Sequence, residues 1–437
     1  MKASKEDYFD FDYFGEEEEE DDDNINQNNI NNNLYNQYNN NIFNNSLNTF
    51  NSYNSTSAGN FNTISNYSNI TSMNSLNINN QYQSFQNMNN NININFENNN
   101  QKFSSDNNII INNKMTKKKL LEKNSENLFE YIITQKGSRK AQNLLNKMNE
   151  IDVENLLNKL IPNLSLIMTD KYGNYFSKKL IQICTFSQRI KILKNLDNNF
   201  IRISKDIYGT HPLQYLIELI NMPEEKNIVL NYIINNELEL SIDKRGTNVL
   251  KKFIISTKNE ERNKLDENIL NIIDKLIINQ YGAIILICLI KNSKNKDLIH
   301  KTIVEYISNN KPLFYIQHPY SNYVIQALLL YTNMEYCEDI IKTISNNYLA
   351  LSLKKNSNNV VEVFIKCAKS SIIKKIFNDV LYKNNLEYLI NNNYGNYVLE
   401  KLIGKLNKEE RNMIINKLEE SRLKEKISNS IKFLLYK

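Results

Sequence analysis

Five short segments of the chain repeat polar or aromatic side chains at the same three offsets, a trio that we number positions 1, 2 and 5. Position 1 carries Ser or Asn, position 2 carries Arg, Tyr or Asn, and position 5 carries Gln, Lys or Glu. The five segments are Ser138-Arg139-x-x-Gln142, Asn174-Tyr175-x-x-Lys178, Asn322-Tyr323-x-x-Gln326, Asn358-Asn359-x-x-Glu362 and Asn396-Tyr397-x-x-Glu400. On a helix, positions 1 and 5 point the same way one turn apart, and position 2 lies to the side. Two polar groups so placed could hold the edge of one nucleotide base, while position 2 slides between neighbouring bases.

Residues suited to catalysis or metal binding show no such pattern. The four cysteines and three histidines are scattered along the chain, without the spacing of a zinc site. No segment resembles a nucleophile–base pair or a glycine-rich phosphate loop. The sequence therefore predicts no catalytic residue, no metal and no cofactor, so any enzyme would have to be recruited. The cysteines are predicted to be buried thiols of a protein in a reducing compartment: Cys184, Cys288, Cys337 and Cys367.

The trios belong to a longer repeat that small residues mark. Six of the nine glycines share one sequence context: Gly137, Gly173, Gly209, Gly246, Gly282 and Gly395. The first five are separated by 36, 36, 37 and 36 residues, and the 113 residues between the last two leave room for two further units. Ser321 and Ser357 take the glycine position of those units, giving spacings of 39, 36 and 38 residues. The chain therefore contains eight units of near-constant length, which is typical of repeat proteins.

Each unit is predicted to form two or three short helices, because it lacks the alternation typical of strands. Apolar residues recur three and four positions apart after the small residue, and further apolar stretches lie on either side. Four units carry Asp or Asn three residues before the glycine, where we expect an N-cap: Asp170, Asp206, Asp243 and Asn279. The recurring glycine indicates that a neighbouring helix or a ligand comes close to the backbone.

A unit of this size cannot bury its own apolar face, so we expect the units to stack into an all-α solenoid with one long concave surface. The predicted domain spans residues 114–437, with an N-terminal cap at 114–126 and a C-terminal cap at about 421–437. The repeats are expected at about 127–162, 163–198, 199–235, 236–271, 272–310, 311–346, 347–384 and 385–420.

Residues 1–113 differ sharply from this domain in composition. They are rich in Asn and include an acidic block from Glu16 to Asp23. Such polar tracts bury too little apolar surface to offset chain entropy, so we expect a disordered leader, with a composition similar to segments that self-associate. The leader holds 3 Lys against 14 Asp or Glu, a net charge of −11; residues 114–437 hold 50 basic and 34 acidic residues, a net charge of +16. The basic domain indicates a polyanionic partner, and the acidic block either is solvated or folds back on that domain.

Repeat number, period, trio placement and end caps together resemble the eight-repeat homology domain of the Pumilio (PUF) family of RNA-binding proteins. The resemblance covers about three-quarters of the chain, roughly Lys114 to Lys437. It implies a right-handed superhelix of helical repeats that reads one base of single-stranded RNA per repeat. The RNA would run antiparallel to the protein, with its 5′ end on repeat eight.

The resemblance also implies which bases some repeats read. Asn322 and Gln326 match the family's uracil pair, with Tyr323 as the stacking residue. Glu362, supported by Asn358, resembles the guanine reader, because a carboxylate accepts hydrogen bonds from the N1–H and N2–H groups of guanine.

Asn396 and Tyr397 of repeat eight also resemble a uracil reader, but Glu400 replaces the usual Gln. The trio of repeat one resembles an adenine reader for the 3′ end of the RNA: Ser138, Arg139 and Gln142. Together these similarities imply a UGU-type 5′ core and an adenine near the 3′ end.

The middle repeats depart from the family pattern. Repeat five has no polar group to read a base edge, since its trio is Ala283, Ile284 and Ile287. Repeat four carries Thr247, Asn248 and Lys251. Repeat three keeps a stacking residue and one amide in its trio of Thr210, His211 and Gln214. Lysines at position 5, including Lys178 of repeat two, are expected to contact phosphate or a base carbonyl, so we predict a tolerant centre.

The resemblance implies a post-transcriptional regulator that binds mRNA 3′ untranslated regions and recruits repressor or deadenylation proteins. We expect it to be cytoplasmic, with ribonucleoprotein granules as one location there, and monomeric on its RNA. No membrane association is expected, because the longest uncharged apolar run, Ala283 to Ile290, is too short to cross a bilayer. Two alternatives remain open: a nucleolar protein of the same fold in ribosomal RNA processing, and a protein-binding scaffold of the HEAT or armadillo type.

Overall fold

The computed structural model describes residues 115–257 and 261–436; the leader predicted at 1–113 lies outside them. All regular elements within the described residues are helices. Eight of these carry the trios and are named here the trio helices: Gln135–Leu145, Gly173–Ile183, Thr210–Leu219, Gly246–Ser256, Gln280–Asn292, Ser321–Tyr331, Ser357–Cys367 and Gly395–Ile403. Each is followed by a helix of a second row, named the outer helices: Glu150–Leu160, Phe186–Leu196, Pro223–Ile233, Glu261–Asn271, Lys296–Asn309, Glu338–Ser352, Ser370–Val380 and Lys408–Glu420.

A short helix leads into the trio helix of most repeats: Ser125–Ile132, Leu164–Met168, Phe200–Lys205, Glu237–Ile242, Ile273–Leu276, Pro312–Gln317 and Asn385–Asn391. In front of repeat seven, the long outer helix Glu338–Ser352 continues into this place. Two 3₁₀ turns, Ile161–Asn163 and Asp197–Asn199, join outer helices to the next short helix. The first described helix is Lys117–Glu122 and the last is Asn429–Tyr436.

The trio helices form one continuous row. Each packs against the next from repeat one to repeat eight, and Asn429–Tyr436 packs against the last of them. Neighbouring outer helices from repeat two to repeat seven also meet, but less closely than neighbouring trio helices do. A stack whose two rows differ in spacing curves toward the closer row, so the trio helices line its concave side. The all-α solenoid predicted from the sequence is confirmed.

The predicted N-caps hold the start of the trio helices. The Asp170 Oδ1 atom accepts hydrogen bonds from the backbone N–H groups of Tyr172, at 2.8 Å, and Gly173, at 2.6 Å. Asp206, Asp243 and Asn279 accept the same two bonds in their own repeats. These bonds satisfy backbone donors that have no partner inside the helix. The N-cap prediction is confirmed for Asn279. In repeats two to four the helices begin two or three residues later than predicted, so Asp170, Asp206 and Asp243 cap the turn that leads into each helix.

The recurring small residue is required by a close approach of the preceding short helix. A Cβ atom at Gly173 would lie 2.4 Å from the carbonyl oxygen of Ile167, six residues earlier. In repeat six, Ser321 Oγ instead donates a hydrogen bond of 3.0 Å to the equivalent carbonyl, that of Tyr315. Ser357 does the same to Leu351 at 2.7 Å. Repeats six and seven therefore leave room for a Cβ atom here, and the serine hydroxyl bonds the carbonyl oxygen that lies too close for a Cβ atom at Gly173.

The apolar core lies between the rows of helices. Its largest apolar side chains are fully buried phenylalanines: Phe176, Phe200, Phe253 and Phe364. Cys184, Cys288 and Cys337 are buried as predicted, whereas Cys367 is half-buried. Burial raises the pKa of the Cys184 thiol to about 12, which makes this thiol unreactive at neutral pH. Among the described residues, none of the helices combines the length and the apolar character that a membrane crossing requires.

Candidate nucleic-acid interface

Position 1 of the trio lies below the protein surface in most repeats. Seven of these residues are buried: Ser138, Asn174, Thr210, Thr247, Ala283, Asn322 and Asn358. Asn396 of repeat eight is half-buried. The sequence pattern predicts that position 1 grips the base edge together with position 5. In repeats one to four, six and seven the polar position 1 side chains form hydrogen bonds with protein groups, so their first effect is to hold the local geometry.

Repeat six shows how position 1 orients position 5. The Asn322 Nδ2 group donates to the carbonyl oxygens of His318 and Pro319, both at 2.8 Å. The Asn322 Oδ1 atom accepts a hydrogen bond of 2.9 Å from Gln326 Nε2. The amide of Gln326, which is only 3% exposed, therefore has a fixed orientation, and the bond to Asn322 leaves its Oε1 atom and second N–H group uncommitted within this pair.

The same link between positions 1 and 5 occurs in three other repeats. Ser138 accepts from Gln142 at 3.0 Å in repeat one, and Thr210 accepts from Gln214 at 3.0 Å in repeat three. In repeat seven, Asn358 Nδ2 donates to Glu362 Oε1 at 3.2 Å. Four repeats thus present a position 5 group that a buried neighbour has already oriented. Such preorganisation reduces the entropy lost when a ligand binds.

Glu362 has an environment that suits a hydrogen-bond acceptor. Burial raises the pKa of its carboxyl group, whereas Lys401 of the next repeat and the Asn358 hydrogen bond act in the opposite direction. Partial removal from water strengthens any hydrogen bond that the carboxylate accepts. Repeat seven is therefore built to receive N–H donors from a ligand.

Repeats two and four lack an oriented reading pair, by which we mean a position 1 residue that is hydrogen-bonded to position 5. The Asn174 Nδ2 group donates to two carbonyl oxygens at the start of its own helix, and Lys178 Nζ lies 5.2 Å from the centre of the Tyr215 ring. In repeat four, the Thr247 hydroxyl donates to the carbonyl oxygen of Ser241 at 3.0 Å, and Lys251 is half-buried. Both repeats offer an ammonium group where repeats one, three, six, seven and eight offer an amide or a carboxylate.

Repeat five presents an apolar surface to the concave side. Ala283 and Ile287 are buried, with 3% and 7% exposure, and Ile284 is half-buried. These side chains cannot form hydrogen bonds with a base edge. The apolar trio divides the row into repeats one to four and repeats six to eight.

Position 2 supplies the side chains that stand out from the row. Tyr175 and Tyr397 are 57% and 56% exposed, and Arg139 and His211 are also exposed. The remaining four are half-buried: Asn248, Ile284, Tyr323 and Asn359. All of them sit on helices of the same continuous row, and none is fully buried. This arrangement suits stacking against successive bases, which aromatic and guanidinium groups do with little regard to base identity.

Two polar contacts next to the trios were not predicted from the sequence. In repeat eight, Ser430 Oγ of the last helix donates a hydrogen bond of 2.6 Å to Glu400 Oε2. In repeat six, His318 Nδ1 accepts from the backbone N–H groups of Tyr320, at 3.2 Å, and Ser321, at 3.4 Å. His318 stands three residues before the small residue, so its spacing alone could have identified it as a cap. No spacing in the sequence predicts the Ser430 contact, because it joins the C-terminal helix to a trio helix.

The His318 cap makes the stability of repeat six dependent on pH. Burial holds the pKa of His318 below its ordinary value of 6.5. The neutral ring caps the helix, so the cap is fully present above pH 6.5 and is lost as pH falls through the lowered folded-state pKa. We expect His318→Asn, which keeps an acceptor as Asn279 and Asn392 do, to remove about 1 kcal/mol of this acid sensitivity. Chemical denaturation of both proteins from neutral to mildly acidic pH would show it; parallel curves would contradict the proposed capping role.

Several known proteins share this sequence pattern. A family model described as the Pumilio-family RNA binding repeat matches residues 163–196, 199–234, 237–265, 316–345 and 388–419. A Pumilio domain-containing protein of Schizosaccharomyces pombe is 24% identical over 294 residues, which cover 67% of this chain and 43% of that protein. Pumilio homolog 12 of Arabidopsis thaliana is 26% identical over 269 residues, which cover 61% of this chain and 45% of that protein. The chain thus spans less than half the length of these two curated relatives.

Solved structures share the fold. The Puf4 RNA-binding domain bound to the HO endonuclease RNA 3′ UTR recognition sequence superposes with a TM-score of 0.60 at 24% identity, covering 66% of this chain and 91% of that one. PUF-8 in complex with PBE-RNA gives a TM-score of 0.61 at 18% identity, covering 70% and 89%. The matched repeats show that this chain carries repeats of the Pumilio (PUF) family, and the solved structures show that it shares their solenoid fold.

Proposed function

We propose that the domain at residues 114–437 binds single-stranded RNA and selects UGU-type elements in mRNA 3′ untranslated regions. The observation that carries the proposal is the continuous row of trio helices, in which buried position 1 residues orient position 5 groups. Similar folds in the Puf4 and PUF-8 structures are bound to RNA, which supports the same ligand here. The net charge of +16 on the domain suits a polyanion.

The chemistry of repeats six and seven supports a guanine followed by a uracil. A Gln326 amide can accept from the N3–H group of uracil and donate to one of its carbonyl oxygens. The Glu362 carboxylate can accept from two adjacent N–H groups, which guanine presents and adenine does not. Since the RNA is expected to run antiparallel, the guanine on repeat seven precedes the uracil on repeat six.

Selectivity should weaken toward the centre of the RNA and return at its 3′ end. Repeat five offers only apolar contact, and the lysines of repeats two and four suit phosphate, whose contribution falls with salt. The Gln142 amide, oriented by Ser138, supports a preference for adenine on repeat one. Exposed position 2 side chains add roughly 1–3 kcal/mol of stacking per base without strong selectivity.

A titration with matched RNAs tests this function. The full chain would be titrated with a short RNA that carries UGU and a downstream adenine, and with the same RNA after the guanine is changed to adenine. We expect about tenfold weaker binding of the second RNA, because one edge contact is lost. A difference below about threefold (~0.7 kcal/mol) would contradict direct reading of the guanine. Binding to neither RNA would favour a protein-binding solenoid.

The regulatory part of the proposal is that the RNA-bound protein represses translation or promotes mRNA decay by recruiting other proteins in the cytoplasm. It acts as a monomer on its RNA, with the concave side occupied by RNA and other surfaces left for partners. Imaging of the tagged protein would test the location. Nucleolar accumulation would instead support the role in ribosomal RNA processing.

A further inference from the structure

Repeats seven and eight present the same pair of reading residues on adjacent, packed helices. Asn358 and Glu362 form the pair in repeat seven, and Asn396 and Glu400 form it in repeat eight. Repeat six differs at position 5, where Gln326 replaces the carboxylate. If the pair determines the base, repeats seven and eight should select the same base.

The structure holds the Glu400 carboxylate in place from the C-terminal side. Ser430 Oγ, on the helix Asn429–Tyr436, donates to Glu400 Oε2 at 2.6 Å, and this helix packs on the trio helix of repeat eight. A carboxylate has two oxygens with about four lone-pair sites, so one hydroxyl leaves most of its accepting capacity free. Ser430 therefore orients Glu400 in the way that Asn358 orients Glu362.

Repeat eight also has a second acceptor without a donor. The Asn396 Oδ1 atom is buried and has no hydrogen-bond partner among the described residues. The corresponding oxygen of Asn322 in repeat six accepts from Gln326, a bond that Glu400 cannot supply because a carboxylate has no N–H group. The reading pair of repeat eight thus contains two acceptor groups, the buried Asn396 amide oxygen and the half-buried Glu400 carboxylate, of which the carboxylate is the one with exposed surface to meet a ligand's donors.

Among the four RNA bases, guanine alone presents two adjacent N–H donors, N1–H and N2–H, on its pairing edge. Uracil presents one donor between two carbonyl oxygens, so one of these oxygens would face the carboxylate and repel it. Adenine and cytosine each place an unprotonated ring nitrogen beside their amino group. Leaving such an acceptor opposite a carboxylate sacrifices a hydrogen bond and adds repulsion.

We infer that repeat eight selects guanine rather than uracil, so that the preferred 5′ core is GGU. The inference rests on the proposed function and on its antiparallel polarity, and it replaces only the first base of the UGU-type element. Glu400 is the specificity-determining residue, Ser430 positions it, and Tyr397 stacks on the base.

The test is a set of four RNAs that differ only in the base facing repeat eight, each followed by the same GU step. The full-length protein is expected to bind the guanine RNA about tenfold more tightly than the uracil RNA. Glu400→Gln gives repeat eight the same trio as repeat six, and this variant is expected to reverse the order of the two RNAs. Equal binding of all four RNAs by the unmodified protein, or tighter binding of the uracil RNA, would overturn the inference.

Glu362→Gln provides the matched control, because it makes the same chemical change one repeat away. This variant is expected to keep the guanine preference at the first base and lose the preference at the second. The control also separates the two proposals. If the unmodified protein selects guanine at the second base but uracil at the first, the inference fails and the proposed function stands; without selection at either base, the proposed function fails.

Discussion

Glu362→Gln is expected to remove the preference for guanine on repeat seven while leaving most of the affinity for RNA. The substitution keeps the size of the side chain and allows a hydrogen bond with Asn358, so the helix should remain intact. It replaces one acceptor oxygen by an NH₂ group, which would face the N–H donors of guanine. The resulting Asn–Gln pair matches that of repeat six, where the amide suits uracil.

The expected size of this change follows from the contacts that are exchanged. A lost edge contact is worth about 1–3 kcal/mol, so the ratio of guanine to uracil binding should fall by about 10- to 100-fold. Competition titrations with RNAs that differ only at this base would measure the ratio. Glu218→Gln is the charge-matched control, because Glu218 is an exposed residue of another trio helix whose carboxylate pairs with Lys252. An unchanged ratio in Glu362→Gln would show that position 5 does not read the base.

The guanine preference should also depend on pH. Burial raises the pKa of Glu362 above its ordinary value, and only the ionised form can accept two N–H groups. The preference is therefore expected to be full well above the raised pKa and to decline as pH falls through it. In Glu362→Gln the ratio of guanine to uracil binding, already lowered, should stay constant over the same pH range, because this carboxyl group is gone.

Local residue patterns were sufficient to predict the frame of the fold. Capping residues such as Asp170 act within three residues of their own position, and the small residue at Gly173 meets a carbonyl only six residues away. Because these short-range patterns recur eight times, they predict the helices, the order of the helices and the stacking that brings the trios into one row. The identities of the trio residues followed directly, since the same spacing places each on the concave side.

Contacts between different repeats or caps could not be predicted in the same way. The burial of position 1 depends on how closely the neighbouring trio helix packs, as the Ser138 hydroxyl shows by donating to the Tyr172 carbonyl of the next repeat. The Ser430–Glu400 bond depends on where the C-terminal helix docks. Such geometry arises from packing over 30 residues or more of sequence, and no local pattern encodes it.

The buried pair formed by Arg262 and Asp266 is the clearest of these unpredicted features. Both side chains are buried, and Arg262 Nη2 lies 3.1 Å from Asp266 Oδ2. The guanidinium also donates to carbonyl oxygens of Ile254, at 2.6 Å, and Asn292, at 3.2 Å. Since Ile254 and Asn292 belong to the trio helices of repeats four and five, this one side chain ties two repeats together.

Arg262→Met is expected to lower the free energy of unfolding by about 3–5 kcal/mol, because it leaves the Asp266 carboxylate buried without its cation. Burial already raises the pKa of Asp266, so the carboxyl group of the variant should take up a proton more readily still. The loss should therefore be largest at neutral pH and smaller in acid. Chemical denaturation followed by circular dichroism at two pH values would measure both quantities.

Removing both charges separates the cost of an unpaired carboxylate from the loss of the carbonyl contacts. Arg262→Met combined with Asp266→Leu should recover part of the stability, since a buried ion pair contributes little beyond what apolar packing provides. The stability that the double variant does not recover measures the contribution of the hydrogen bonds to Ile254 and Asn292. Lys118→Met serves as the control, because its 3.9 Å pair with Glu122 is exposed and should contribute nothing measurable. If the single variant proves as stable as the unmodified chain, the junction between repeats four and five does not depend on this ion pair.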